Sequence, residues 1–524
     1  MNLVIPQTQS SMAGRVGQTT RQFRARGEKI FLPMNVPGVR PSAVAATSVR
    51  LTRPEKPNAP HSDHAAAPVD GRAPVQGFKS RTSVGRILTL AVFGLIASTA
   101  GAAPVFPYPY TKEILPNGLT AIVIPMESPG QVAYYSVVRT GSRDEVEAGK
   151  SGFAHFFEHM MFRGTKKYPA AEYEKIVASI GASANASTTD DLTLYHLKFG
   201  KEDLERVIEI ESDRFQNLSY SESAFQTESG AVYGEYRKSI TSPFSVLNEK
   251  VQDLAYDVHT YKHTTIGFER DIKAMPQQFQ YSLSFFRRFY RPENVVLLIT
   301  GDVDPKATLA LVRKYYGGWE KGYKPPAIVP EPPQKAERTA EISYAGKTLP
   351  IINIAYKGDA FDPNNKDYAA ALLLDDLAFG PTSDLRKKLQ LKEQKVQMLN
   401  GNVPMNRDQP LFEVLSMIKK PEDIAYVRDE VYRTLEEFKT KPVEASRLRD
   451  LKRRNKYSFL MALDTPGAVA GALARFVALT GDIAVIETLY SQMEAVTPED
   501  LMRAAKKYFT PERRTVVVLK GSQS

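Results

Sequence analysis

A chain of 524 residues with 42% hydrophobic and 24% charged side chains is long enough for two or three domains, each with its own core. Its net charge of +10 sits in one place: residues 1–102 hold 13 Lys/Arg against 4 Asp/Glu, while the other 422 residues hold 56 against 55. The body therefore has no net field to draw polyanions, which excludes a nucleic-acid partner. Cysteine is absent, so disulfides, thiolate nucleophiles and Cys-held zinc are excluded, and any metal must be bound by His, Asp or Glu.

Residues 1–80 are rich in Arg, Pro, Ala and Ser without apolar periodicity, the pattern of a disordered leader or of a start assigned too far upstream. Residues 81–103 follow with basic residues, an apolar run from Ile87 to Thr99 and small residues at Ala100 to Ala102. These are the three parts of a signal peptide, or of a signal anchor if the run extends, and they predict an exported protein, periplasmic or anchored facing the periplasm.

The body opens with "KEILPNGLTAIVIP", in which an Asn-Gly turn and a β-rich run predict a first strand near 119–124. A helix is expected from about Ser151 to Phe162, with Ser151 as N-cap and Gly164 as its stop. Another follows near 171–180, then extended structure over "SANASTTDDLTLYHLKF", then helices over 202–217 and 222–240. The segments "FFRRFYRPENVVLLITG" (285–301) and "AAKKYFTPERRTVVVLKG" (504–521) share a plan of basic pair, aromatics, Pro-Glu and β-branched strand. Each closes a unit of roughly two hundred residues, which predicts two α+β domains of one fold. They are placed at 110–321 and 340–522, joined by a Pro-rich linker at 322–339. All the histidines precede the second unit.

"HFFEH" at 155–159 carries the chemistry. On a helix, His155 and His159 lie four apart on one face and can aim two imidazoles at one metal ion, with Glu158 beside them. Glu158 is poorly placed to ligate and well placed to take a proton from the attacking water. A catalytic zinc needs a third ligand, and "ESAFQTESGAVYGEYRK" offers acids at Glu222, Glu228 and Glu235, the last two seven apart on one helix face. Spacing alone does not choose between them.

"GFAHFFEHMMFRGTKKYP" resembles the inverted-zincin signature H-x-x-E-H of the pitrilysin, insulin-degrading enzyme and mitochondrial processing peptidase family. "LPNGL", "TGSRDE" at 140–145, "NAST" at 185–188 and "GDVDP" at 301–305 extend the likeness over roughly 110–521, the short-chain processing-peptidase branch. The resemblance implies two homologous domains, each an antiparallel-rich sheet packed with helices, forming half of a clamshell. It implies one zinc ion per chain, held by His155, His159 and Glu235, with Glu158 as catalytic base and Glu228 supporting the site from behind the ligands. Asn185 and Ala186 fall on the strand whose edge, in relatives, pairs with an extended peptide substrate. His196, His259 and His263 are expected to be structural.

One departure stands out. Relatives that supply the second half of the reaction chamber carry "LRE…GLAY", an Arg and a Tyr seven apart that serve the oxyanion. Here "LQLKEQKVQM" places Gln390 and Gln397 at those positions. The expectation is a zinc endopeptidase subunit that forms a heterodimer with a homologous chain carrying the Arg/Tyr pair, a homodimer being the second choice. The alternative is a non-catalytic structural or binding subunit of the same family.

Overall fold

The computed structural model describes residues 104–522, so the expected leader and export signal lie outside the described residues. In chain order the first half contributes strands β1 (Thr111–Ile114), β2 (Thr120–Pro125), β3 (Gln131–Val138), β4 (Ser183–Thr188), β5 (Thr193–Gly200) and β6 (Val295–Gly301). Its helices used below are α1 (Phe153–Met160), α2 (Glu222–Ser239), α3 (Pro243–Ala255) and α4 (Phe279–Phe289). The second half contributes β7 (Arg338–Tyr344), β8 (Ile351–Lys357), β9 (Val396–Asn402), β10 (Leu411–Ile418) and β11 (Arg514–Gly521), with helices α5 (Lys366–Phe379), α6 (Pro466–Thr480) and α7 (Pro498–Tyr508). Residues 320–337 between the halves hold neither helix nor strand.

The strand expected first is in fact the second. The Asn117–Gly118 turn closes a hairpin in which the Leu115 N–H bonds the Leu119 carbonyl at 2.8 Å, and β1 is its leading arm. β1 is a half-exposed edge of mostly polar residues, "TKEI", and carries no apolar alternation to announce it. The helices expected at 171–180, 202–217 and 222–240 are found at Ala170–Ser179, Leu204–Asn217 and Glu222–Ser239.

The sheets run β1-β2-β6-β3-β5-β4 and β7-β11-β8-β10-β9. Apart from the added β1 they repeat one topology. β6 is parallel to β2 and antiparallel to β3, as β11 is parallel to β7 and antiparallel to β8. The repeated sequence plan has its cause here: in each half a helix (α4, α7) is followed by a short 3-10 turn at the Pro that feeds an inner strand (β6, β11).

Burial ties the halves together. One face of the first sheet packs Tyr134, Leu297 and Ile299 against Phe156 and Phe157 of α1, Val232 of α2 and Phe285 of α4. Its other face, with Ile122, Tyr135, Val137 and Leu298, is covered from the second half by α6, whose Leu473 and Val477 belong to the same core as Ile354 of β8 and Val516 of β11. α6 is also pinned by hydrogen bonds: Thr300 Oγ1 donates to the Pro466 carbonyl (2.7 Å), Tyr135 to that of Gly467 (3.1 Å) and Arg139 Nε to that of Ala478 (2.9 Å). In return α3 of the first half lays Leu247, Val251 and Ala255 on Ile351, Val517 and Leu519 of the second sheet. Each sheet thus borrows a helix from the other half. Among the described residues no single helix is long and apolar enough to cross a membrane.

A shared core predicts shared unfolding. Leu473→Ala, at a fully buried position, should cost about 2–5 kcal/mol. Denaturant titration of the variant should still show a single transition, whereas two resolved transitions would mean that the halves fold independently.

Candidate metal centre and catalytic site

The sequence of α1 divides its surface in two. Phe153, Phe156, Phe157 and Met160 recur at helical spacing and are buried against the first sheet and α4, with the rings of Phe157 and Phe285 stacked 5.1 Å apart. That leaves His155, Glu158 and His159 together on the side facing α2 and β4.

The start of α1 differs from the expectation. Ser151 is not the N-cap; its hydroxyl donates to Asp271 (2.6 Å) and accepts from the Phe268 N–H (2.9 Å). Gly152 occupies the cap at φ +95°, where a Cβ would lie 2.7 Å from the Ile266 carbonyl oxygen. Having no side chain, Gly152 leaves the opening N–H groups to Glu145, whose carboxylate accepts from Gly152 (2.7 Å) and Ala154 (2.6 Å). At the other end a 3-10 turn over Met161–Arg163 runs into Gly164, where the sequence places the stop.

α2 crosses α1 so that Glu228 and Glu235 meet different atoms. Glu235 Oε2 stands 3.3 Å from His155 Nε2 and 3.5 Å from His159 Nε2. Glu228 Oε1 lies 2.8 Å from His159 Nδ1, and its Oε2 accepts from Arg163 Nε at 2.7 Å. The tertiary crossing separates what seven-residue spacing could not. Burial alone would pull His159 down, but Glu228 and Glu235 push it up to about 10. Burial likewise raises Glu235, yet the two imidazoles outweigh it and hold the carboxyl well below the ordinary range. Glu228 is also lowered, by His159 and Arg163 against its burial.

This donor set fits a zinc ion. One atom each from His155, His159 and Glu235 lies within 4.8 Å of the others. His159 Nε2 is buried with no hydrogen-bond partner, while its Nδ1 is engaged by Glu228, the arrangement that fixes a ligating tautomer. Glu158 is buried beside the cluster, and its Oε2 accepts from Thr188 Oγ1 at 2.6 Å.

β4, which carries Asn185 and Ala186, is the edge strand of the first sheet and packs on α1. Its inner side pairs Asn185 with His196 and Ala186 with Tyr195 of β5, and Asn185 Oδ1 accepts from the Ala186 N–H at 2.9 Å. The remaining described histidines stay apart from the cluster. His196 stacks on Tyr135 (4.8 Å) and burial pushes it down to about 4. His259 contacts Asp408 through Nε2 (3.0 Å), and His263 contacts the Thr264 carbonyl through Nδ1 (3.0 Å). In the second half Gln390 Nε2 donates to the Gln397 carbonyl (2.9 Å), and Arg386 Nε donates to Gln390 Oε1 (2.9 Å). Gln394, at the position of Gly in "GLAY", has φ +53° and is the left-handed non-glycine among the described residues.

Comparison with known proteins gives the family and the fold. Residues 122–268 match the profile of insulinase (peptidase family M16), and residues 279–455 that of the peptidase M16 inactive domain. Zinc protease PqqE of Helicobacter pylori is 29% identical over 450 residues, covering 84% of this chain and 99% of that protein. The mitochondrial-processing peptidase subunit beta of Saccharomyces cerevisiae is 24% identical over 402 residues, covering 74% and 86%. Among solved structures, a protease from Helicobacter pylori superposes with a TM-score of 0.74 at 28% identity, covering 79% of this chain and 99% of the other. The first half of the periplasmic protease PqqL from Escherichia coli gives 0.64 at 20% identity, covering 78% and 91%, a likeness of fold.

Sequence reasoning passed over Glu145, Arg163 and Thr188. Glu145 and Thr188 close the words "TGSRDE" and "NAST", but what they touch depends on how loop and strand dock against α1. Glu145→Ala would strand the buried N–H groups of Gly152 and Ala154 at a cost of about 1–3 kcal/mol. Denaturation midpoints should show that loss, and Glu145→Gln, which keeps one acceptor, should lose less.

Proposed function

Because the chain belongs to the peptidase M16 (insulinase) family, we propose that it is the zinc-dependent endopeptidase subunit of a two-chain clamshell. The observation that carries this reading is the approach of Glu235 Oε2 to both Nε2 atoms of His155 and His159. In this reading residues 110–321 hold one zinc ion through those three side chains, and residues 340–522 hold none.

Zinc, when bound, supplies Lewis acidity that polarises a carbonyl and makes water a better acid. Glu158 takes the proton of the attacking water and delivers it to the leaving amine. Glu228 keeps His159 in its ligating tautomer, and Arg163 balances Glu228. The free edge of β4, through Asn185 and Ala186, aligns the substrate as an added strand, which selects extended peptides or unfolded segments.

Gln390 and Gln397 supply neither a cation nor a phenol for the oxyanion. The reading therefore pairs this chain with a homologous subunit that carries Arg and Tyr there. Without such donors the rate falls by about 10² to 10³. The signal-like segment at 81–103 supports export, with a mature N-terminus near Ala103, and PqqL, similar in fold, is a periplasmic protease by its description.

Purified chain from the native cell is the material for the test. It should begin near Ala103 by N-terminal sequencing and carry about one zinc ion, lost in His155→Ala and His159→Ala. Glu158→Gln should keep the zinc and lose peptide hydrolysis. Wild-type chain alone should hydrolyse peptides weakly and gain activity with a homologous chain lacking HxxEH. Wild-type turnover in Glu158→Gln would sink the mechanism, and full activity of the chain alone would sink the heterodimer.

A further inference from the structure

The base assigned above is not free in its pocket. Glu158 is buried to 4% exposure, and one of its oxygens, Oε2, accepts a 2.6 Å hydrogen bond from Thr188 Oγ1. Thr188 is the last residue of β4 and shares a strand face with Ala186, two residues earlier; both are buried. This is the face that meets α1, since β4 packs on that helix. A slip of one residue in register would turn the hydroxyl to the opposite face and break the contact.

The backbone that carries the hydroxyl is fixed by its neighbours on both sides. Thr188 pairs with Thr193 across the hairpin, and the turn is closed by the Thr189 N–H to the Leu192 carbonyl at 2.9 Å. The loop that follows β3 clasps this turn: the Ser142 N–H bonds the Thr189 carbonyl (3.3 Å) and the Arg143 N–H bonds that of Asp190 (2.9 Å). Gly141 permits the approach, because a Cβ there would lie 2.3 Å from the Thr189 oxygen. A threonine has one proton to give, and here it goes to a carboxylate oxygen. That bond leaves Oε1 for the proton of the attacking water and removes rotation about the end of the Glu158 side chain, a freedom that dilutes the productive geometry.

We propose that Thr188 is the positioning residue of the general base, and that the same strand whose edge receives the peptide thereby orients the carboxylate that activates water. The proposal rests on the reading of Glu158 as the base. Thr188→Val keeps the shape and removes the donor; Thr188→Ser keeps the donor and removes the methyl. In the full chain, with partner if activity requires it, Thr188→Val should lower kcat by about 10- to 100-fold, the equivalent of a hydrogen bond to a charged group. KM and zinc content should stay at wild-type values. Thr188→Ser should recover most of the rate. Crystal structures provide a readout independent of turnover: the Glu158 carboxylate should be rotated or poorly ordered in Thr188→Val and in its wild-type place in Thr188→Ser. Should Thr188→Val fail to fold or to keep its zinc, Thr188→Ala against Thr188→Ser carries the same comparison. Wild-type kcat without the hydroxyl, a serine variant as impaired as valine, or an unmoved carboxylate in Thr188→Val would each overturn the proposal. Glu158→Gln, measured alongside, separates the two failures: full turnover there removes the base itself, whereas loss there with an unaffected Thr188→Val removes only the positioning.

Discussion

Two carboxylates, those of Glu228 and Glu235, meet the imidazoles of His155 and His159, and a third, that of Glu158, is buried on the same helix between the two histidines. Burying like charges together is costly unless each is paired. Arg163 answers Glu228, Thr188 answers one oxygen of Glu158, and Glu235 turns to the Nε2 atoms of both histidines. With the imidazoles neutral, as metal ligation would require, and one guanidinium, a divalent cation between His155, His159 and Glu235 would balance the three carboxylates. The Phe153–Phe157 side of α1 provides the apolar anchorage that keeps this charged side aimed at α2.

Much of this arrangement is legible in the amino-acid sequence itself. The His-x-x-Glu-His spacing in a chain with few histidines places two imidazoles and a carboxylate on one helical face, and the echo of 285–301 in 504–521 declares two copies of one fold. The choice between Glu228 and Glu235 is not legible from spacing, because both project from one face of α2 and only its crossing of α1 decides which carboxylate reaches Nε2. Ser151 has the look of a cap because Ser before an apolar helix usually is one. The buried Asp271 claims its hydroxyl instead, and the cap comes from Glu145, a residue outside the helix. β1 is silent in the sequence because an exposed polar edge strand carries no period.

The two halves place different side chains at equivalent positions of one fold. α5 follows β8 as α1 follows β3, and it lies against the edge strand β9 as α1 lies against β4. Yet α5 is built of Ala and Leu, and its acids Asp375 and Asp376 have no imidazole to meet. Burial pushes Asp375 up to about 8, while Asp376 is engaged by Arg454 at 2.7 Å. The Gln390–Gln397 contact and the left-handed Gln394 lie at the entry to β9. The same scaffold there carries a side-chain set suited to packing.

The exchange of helices between the sheets sets an order of events during synthesis. The first sheet is complete when Gly301 has emerged, but the helix that seals one of its faces begins at Pro466. Until then Ile122, Tyr135, Val137 and Leu298 form an apolar surface with no lasting cover. Long-range closure of this kind is slow, and the interval exposes the nascent chain to aggregation. A cell making this protein must therefore keep a half-built molecule soluble, and truncations that end before Thr480 leave a sheet with a bare side rather than an autonomous domain.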